Sequence, residues 1–156
     1  MRRLFSSGMF VFAGMVSLPL ALAPQGAAQP PAESRDDPRF EKLRTFFRKA
    51  DCPAQHYVQT FLDAADRYAL DWRLLPSLSF IESTGGKAAR NNNFFGWDSG
   101  RAEFPTPSAA IHEIGYRLTH SNLYRDKDLD GLLSTYNPLP DYAQKVKSVM
   151  RQIAPW

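Results

Sequence analysis

Glu82 stands four residues after Leu78 and directly after Ile81, at the end of an apolar run that closes on Gly85-Gly86. On a helix that spacing puts its carboxyl on the same face as Leu78. A carboxyl surrounded by apolar side chains has its neutral form favoured, so its pKa rises. That is what a general acid needs near neutral pH, and glycosidases use such a group to protonate a leaving oxygen. An exposed glutamate near a helix end fits the spacing of Glu82 equally well.

Two further segments depart from plain core patterning. Asn91-Asn92-Asn93-Phe94-Phe95-Gly96-Trp97-Asp98 combines amides, which donate and accept and so suit sugar hydroxyls and N-acetyl groups, with aromatic faces that suit the apolar side of a pyranose. An Asn-rich turn with its aromatics in the core is the plain alternative, and of the neighbours Phe94 and Phe95 one is expected to point inward. Tyr136-Asn137-Pro138-Leu139-Pro140-Asp141-Tyr142-Ala143 sets two tyrosines around a proline-stiffened turn. Either phenol is able to orient a carboxyl or a substrate group, or to sit satisfied in the core.

Other chemistries lack their residues. His56, His112 and His120 lie far apart in sequence without metal-ligand spacing, and no phosphate loop or nucleophile elbow is present. No metal or cofactor is expected. The single cysteine, Cys52, has no partner for an internal disulfide and fits best as a small apolar side chain beside a helix start.

The elements that must position these groups are helical. Asp37 is expected to cap a helix with Pro38 at its first position and Phe40, Leu43 and Phe47 inward. A second begins at Pro53, with Tyr57, Phe61, Ala65 and Tyr68 on one stripe and Val58, Leu62 and Ala69 beside it. A third runs from near Asp71 through Leu74, Leu75, Leu78 and Ile81, where Pro76 is expected to remove one ladder hydrogen bond and bend the helix. Residues 88–105 read as irregular, with room for a short hairpin. Thr106-Pro107 opens a fourth helix with Ile111, Ile114 and Leu118 inward. A short fifth takes Leu129, Leu132, Leu133 and Tyr136, and a sixth from near Asp141 buries Tyr142, Val146, Val149 and Ile153. The predicted fold class is all-α, in one domain over residues 38–156.

Residues 1–28 have a secretory signal layout: Arg2-Arg3, an apolar stretch from about Met9 to Ala23, then small residues to Ala28. Cleavage is expected after Ala28, with the mature chain starting at Gln29, because Pro24 obstructs a cut after Ala23. The product then lies in the periplasm or the medium and keeps no stable membrane insertion. Residues 29–37 offer almost nothing to bury and read as a disordered leader. The remaining 128 residues suffice for one domain with its own core. Without Arg2 and Arg3 the chain carries 17 basic against 16 acidic residues, a balance that argues against a nucleic-acid partner. A monomer is expected.

Taken together the segments resemble the bacterial endo-β-N-acetylglucosaminidase (glucosaminidase-domain) family of the lysozyme-like superfamily. That family's E-S-x-x-G-K helix end is matched by Glu82, Ser83, Gly86 and Lys87, and its N-N-x-F-G segment by Asn92, Asn93, Phe95 and Gly96. An F-x-x-x-x-S lead into a helix is similar to Phe104 through Ser108, which is one residue shorter. A Y-x-x-x-P-x-Y-A turn is matched by Tyr136, Pro140, Tyr142 and Ala143, all in the family's order over roughly Val58 to Ile153.

The resemblance implies a lysozyme-like helical domain that cleaves β-1,4 bonds in peptidoglycan glycan strands, with Glu82 as catalytic acid. It would set Asn92, Asn93 and Phe95 along the cleft and Tyr136 beside the catalytic site; by residue type, Trp97 is expected as a sugar platform and Tyr142 as a further substrate contact. Family members carry a longer lobe with a second carboxylate after the N-N-x-F-G segment, whereas here only eight residues separate Gly96 from Pro105. Asp98 and Glu103 are the acids available in that stretch. A single-acid lytic transglycosylase, to whose Y-N turn Tyr136-Asn137 is similar, and a wall-binding module without turnover are the alternatives.

Overall fold

Asp37 opens the part of the chain that the computed structural model describes, residues 37–156. Its side chain accepts the Arg39 backbone N–H at 2.8 Å and caps α1, Pro38–Lys49, with Pro38 in the first turn. The last residue of the expected leader therefore belongs to the folded unit. The expected signal segment, residues 1–28, lies outside the described residues.

Among the described residues the chain is all-helical, with six α-helices and a 3₁₀ turn. After α1 come the 3₁₀ turn Pro53–Tyr57, α2 (Val58–Arg67), α3 (Leu74–Ser83), α4 (Pro107–His120), α5 (Leu129–Tyr136) and α6 (Tyr142–Ile153). No described helix is long and apolar enough to cross a membrane. The segment expected as irregular is a succession of turns, and it holds no hairpin strands.

α3 is the central element, packed against α6, α4 and α2. Leu74, Leu75, Pro76, Ser77, Leu78, Ser79 and Ser83 are all buried, so it lacks a solvent face of the usual width. Around it Phe47, Phe61, Ile111, Ile114, Leu118, Leu133, Val146 and Met150 form one continuous core. Burying a side chain of this size contributes about 1.5–3 kcal/mol.

Several boundaries differ from the sequence expectations. The helix expected from Pro53 starts as a 3₁₀ turn and becomes α-helical at Val58, because Cys52 supplies no side-chain cap. Ala69 is exposed with φ +50°, in the turn that ends α2, while Ala64 takes a core place. α3 begins at Leu74, after Asp71 accepts the Arg73 N–H at 2.9 Å in a tight turn. Pro76 is consequently the third helical residue, where a backbone N–H has no intrahelical partner, so the expected loss of a ladder bond does not arise.

Two arginines fix the ends of elements. Arg39 bridges Asp37 and Asp66, joining the start of α1 to the end of α2. Arg73 is buried, pairs with Asp71 at 2.5 Å, donates to the Ala154 carbonyl at 3.0 Å and lies 3.9 Å over the Trp156 ring. It thereby holds the chain after α6 against the start of α3. On α4, His112 and His120 both pack edgewise on Tyr68.

Candidate active site

α3 ends where Thr84 adopts a left-handed conformation, φ +53°, which turns the chain back over the helix end. Ser83 stitches this turn to the following loop. Its hydroxyl donates to the Phe94 carbonyl at 2.7 Å and accepts the Gly86 N–H at 2.9 Å. Gly85 packs against Cys52, whose buried thiol is pushed up in pKa by desolvation and stays protonated, in keeping with the small-apolar role expected of it. Gly86 rests on the Phe94 ring, where a Cβ would come within 2.6 Å of ring carbon. These contacts fix Glu82, one residue earlier, relative to the loop that faces it.

The loop from Asn91 to Gly100 is built on left-handed backbone. Asn91, Asn92, Gly96, Asp98, Ser99 and Gly100 all have positive φ, a region Asn, Asp and Gly enter most easily. The Asn92 amide donates to the Phe104 carbonyl at 2.8 Å, and Phe104 N–H returns a bond to the Asn91 carbonyl at 3.0 Å. Asn93 is buried and grips the Trp97 backbone twice, donating to its carbonyl at 3.0 Å and accepting its N–H at 2.9 Å. The amides expected on sugar are therefore engaged by the chain itself. Phe94 and Phe95 are both buried, not one of the pair, because the turn lets Phe94 meet Tyr57 edge-on while Phe95 enters the core.

Between this loop, the end of α3, α4 and the turn before α6 lies an open cleft of about 900 Å³. Glu82, Phe95, Gly96, Trp97, Asp98, Glu103 and Tyr136 line it, as do Phe104, Arg117, Tyr124 and Asn137. Of the residues expected at the site, Asn92, Asn93 and Tyr142 do not line it.

Glu82 is half-buried, and desolvation pushes its carboxyl above the ordinary value, opposed by a hydrogen bond from Tyr142. The Tyr142 hydroxyl donates to Oε1 at 2.6 Å. Oε2 lies against Gly96, close enough that a Cβ there would approach it to 2.9 Å. A proton on the neutral acid is thus left to Oε2, on the side of a cleft-lining residue. Burial, together with the bond to Glu82, raises the Tyr142 phenol far above its ordinary value, so it remains a donor.

No protein-family model, curated protein or solved structure matches the chain.

The tyrosine hydrogen-bonded to Glu82 is Tyr142, while Tyr136, which the family resemblance set beside the catalytic site, lines the same cleft. Tyr136 donates to the Phe95 carbonyl at 2.7 Å and stacks parallel to Tyr142 with ring centres 6.0 Å apart. It carries the Trp97 ring edge-on at 5.8 Å, and Tyr124 stands 6.1 Å from Trp97 on another side. The cleft therefore has an aromatic wall fixed to the same loop that covers Glu82.

Two other carboxylates border the cleft, and both are exposed. Asp98 pairs with Arg101 at 2.7 Å, and Glu103 accepts from the Asn91 amide at 3.0 Å. Arg101, two residues before Glu103, faces Asp98. Arg117 and Tyr124 were not singled out from sequence. Arg117 falls three residues after Ile114, on the margin of the inward stripe of α4, which was its one signal; Tyr124 sits in a turn outside any periodic run. Among the described residues no group of three or more His, Cys, Asp or Glu stands placed to hold a metal ion.

Proposed function

We propose that the protein is a lysozyme-like enzyme that cleaves β-1,4 bonds next to N-acetylated sugars in peptidoglycan glycan strands, with Glu82 as general acid. One observation carries the proposal. A desolvated carboxyl with raised pKa, one oxygen held by Tyr142, borders a cleft walled by Trp97, Tyr124 and Tyr136. An open, aromatic-walled cleft suits an extended sugar chain, and a proton-bearing carboxyl beside it suits glycosidic-oxygen protonation.

The chemistry runs on one acid. Glu82 gives its proton to the glycosidic oxygen as the bond to the anomeric carbon breaks. The carbonyl oxygen of the sugar's own 2-acetamido group closes on that carbon and stabilises the positive charge. Water then opens the ring intermediate, and the Glu82 carboxylate takes the water's proton. Attack by the sugar's own 6-hydroxyl in place of water gives a 1,6-anhydro end, the lytic transglycosylase outcome. The engagement of Asp98 by Arg101 and of Glu103 by Asn91, both at the exposed rim, supports a single-acid route of either kind over a two-carboxylate one.

The test is digestion of isolated peptidoglycan by the purified protein, with mass spectrometry of the soluble products. Reducing ends identify a hydrolase and anhydro ends a transglycosylase. Retention on the wall without fragments identifies a binding module, and neither fragments nor retention defeats the proposal. Glu82→Gln is expected to lower the rate by about 10²–10⁴-fold, the usual worth of general acid help, with an unchanged circular dichroism spectrum.

A further inference from the structure

The cleft wall carries four charged side chains, of which three are acids: Glu82, Asp98 and Glu103. The fourth, Arg117, is the one cation among the lining residues. It projects from α4 with its guanidinium carbon 5.5 Å from the Trp97 ring centre. Its Nε donates to Glu113 Oε1 at 2.7 Å, one turn back on the same helix, which orients the planar group. Its two Nη nitrogens make no hydrogen bond to any described residue, and its side chain is 46% exposed. Asp98 and Glu103, the acids of the facing loop, are turned to Arg101 and Asn91 instead.

A guanidinium held at Nε, with both Nη groups free beside an aromatic face, is laid out for a carboxylate. A pyranose resting on Trp97 would bring its ring substituents within reach of that fork.

We propose that Arg117 recognises a carboxylate carried by the glycan strand in the cleft, so that the preferred strand is one that bears free carboxylates. This rests on the glycan-cleaving function proposed above and adds the charge of the substrate to it. In peptidoglycan the carboxylate has two sources. The lactyl ether of a muramic sugar is a free carboxylate where no peptide is attached and an amide where one is. The stem peptides carry carboxylates of their own. A neutral chitin-type oligosaccharide has neither.

Binding separates these cases. The Glu82→Gln protein, which should bind without turnover, is titrated calorimetrically at low ionic strength with three glycans of equal length. These are a chitin oligosaccharide, wall strands stripped of peptide, and wall strands that keep their peptides. A carboxylate-bearing strand is expected to bind about tenfold more tightly than the chitin oligosaccharide, the scale of a charge-assisted hydrogen bond, with the advantage shrinking as salt is added. Tighter binding of stripped strands assigns the lactyl carboxylate; tighter binding of peptide-bearing strands assigns the stem peptide.

Adding Arg117→Met should erase the preference for carboxylate-bearing strands over chitin, and Arg117→Lys should restore part of it, as a point charge without the fork. Equal affinity for all three glycans, or a preference that survives Arg117→Met, overturns the assignment while leaving the glycan-cleaving function standing. No binding to any of the three overturns both.

Discussion

In α3, seven of ten side chains are buried, whereas across Asn91 to Gly100 only Asn93, Phe94 and Phe95 are. The helix is held by apolar area removed from water, spread over many neighbours. The loop is held by a few specific devices: left-handed turns, two amide side chains closed on backbone, and the Ser83 hydroxyl. Glu82 belongs to the helix, and the aromatic wall beside it is tied to the loop. The difference teaches that rigidity at this site has two independent sources, which separate substitutions can remove.

The largest effect on that comparison should come from the core. Phe61→Ala is expected to cost about 3–5 kcal/mol of global stability, read from urea unfolding, because a cavity opens where α2 meets Phe47. Asn93→Ala should cost less, about 1–3 kcal/mol, by leaving the Trp97 N–H and carbonyl without their partner. Its signature is local: hydrogen exchange at the Trp97 amide should accelerate more than exchange in α3. Equal acceleration in both regions would show that loop and core form one cooperative unit.

Tyr142→Phe sharpens the comparison through pH. Burial raises the Glu82 pKa and the Tyr142 hydrogen bond pulls it down, so removing the hydroxyl raises it further. The reaction needs the protonated acid, so activity falls as pH rises through that pKa. The basic limb of the kcat/KM profile should therefore move to higher pH in the variant. The stability linkage has a matching sign. The contribution of a raised carboxyl is fully present below its unfolded pKa and is lost as pH rises through the folded one. An unmoved limb would mean that Glu82 does not set it. The smallest change is expected from Asp98→Asn and Glu103→Gln, each of which should retain most peptidoglycan-cleaving activity. A loss near that of Glu82→Gln in either would establish a second catalytic carboxylate.

Much of the fold is legible in the sequence where a local rule acts alone. Asp37-Pro38 and Thr106-Pro107 mark helix starts because the cap oxygen and the proline work at fixed offsets, and both caps form. The inward faces of α4 and α6 follow from helical spacing, although Met150 joins the core unannounced. Pro53 misleads because proline suits a 3₁₀ turn as well as an α-helix. The site is less legible. Glu82 is recognisable from its apolar approach, yet its partner lies 60 residues on. Tyr142 and Tyr136 flank one turn, and only the packing of α6 on α3 shows that Tyr142 is the one that bonds the carboxyl. The asparagines show the same limit, since Asn92 finds its partner 12 residues away. Residue type announced polar chemistry there without saying that the chain would consume it.

The run of positive φ angles also reverses the usual relation between exposure and freedom to vary. Asn91, Asp98 and Ser99 are exposed, and ordinarily such positions accept nearly any residue. Here each must hold a backbone shape that β-branched side chains resist. A saturation library of this loop should therefore select against valine and isoleucine at surface sites that make few contacts. The tolerated alphabet there is narrow for reasons of chain geometry, and drift among descendants of this sequence would be channelled toward Asn, Asp and Gly.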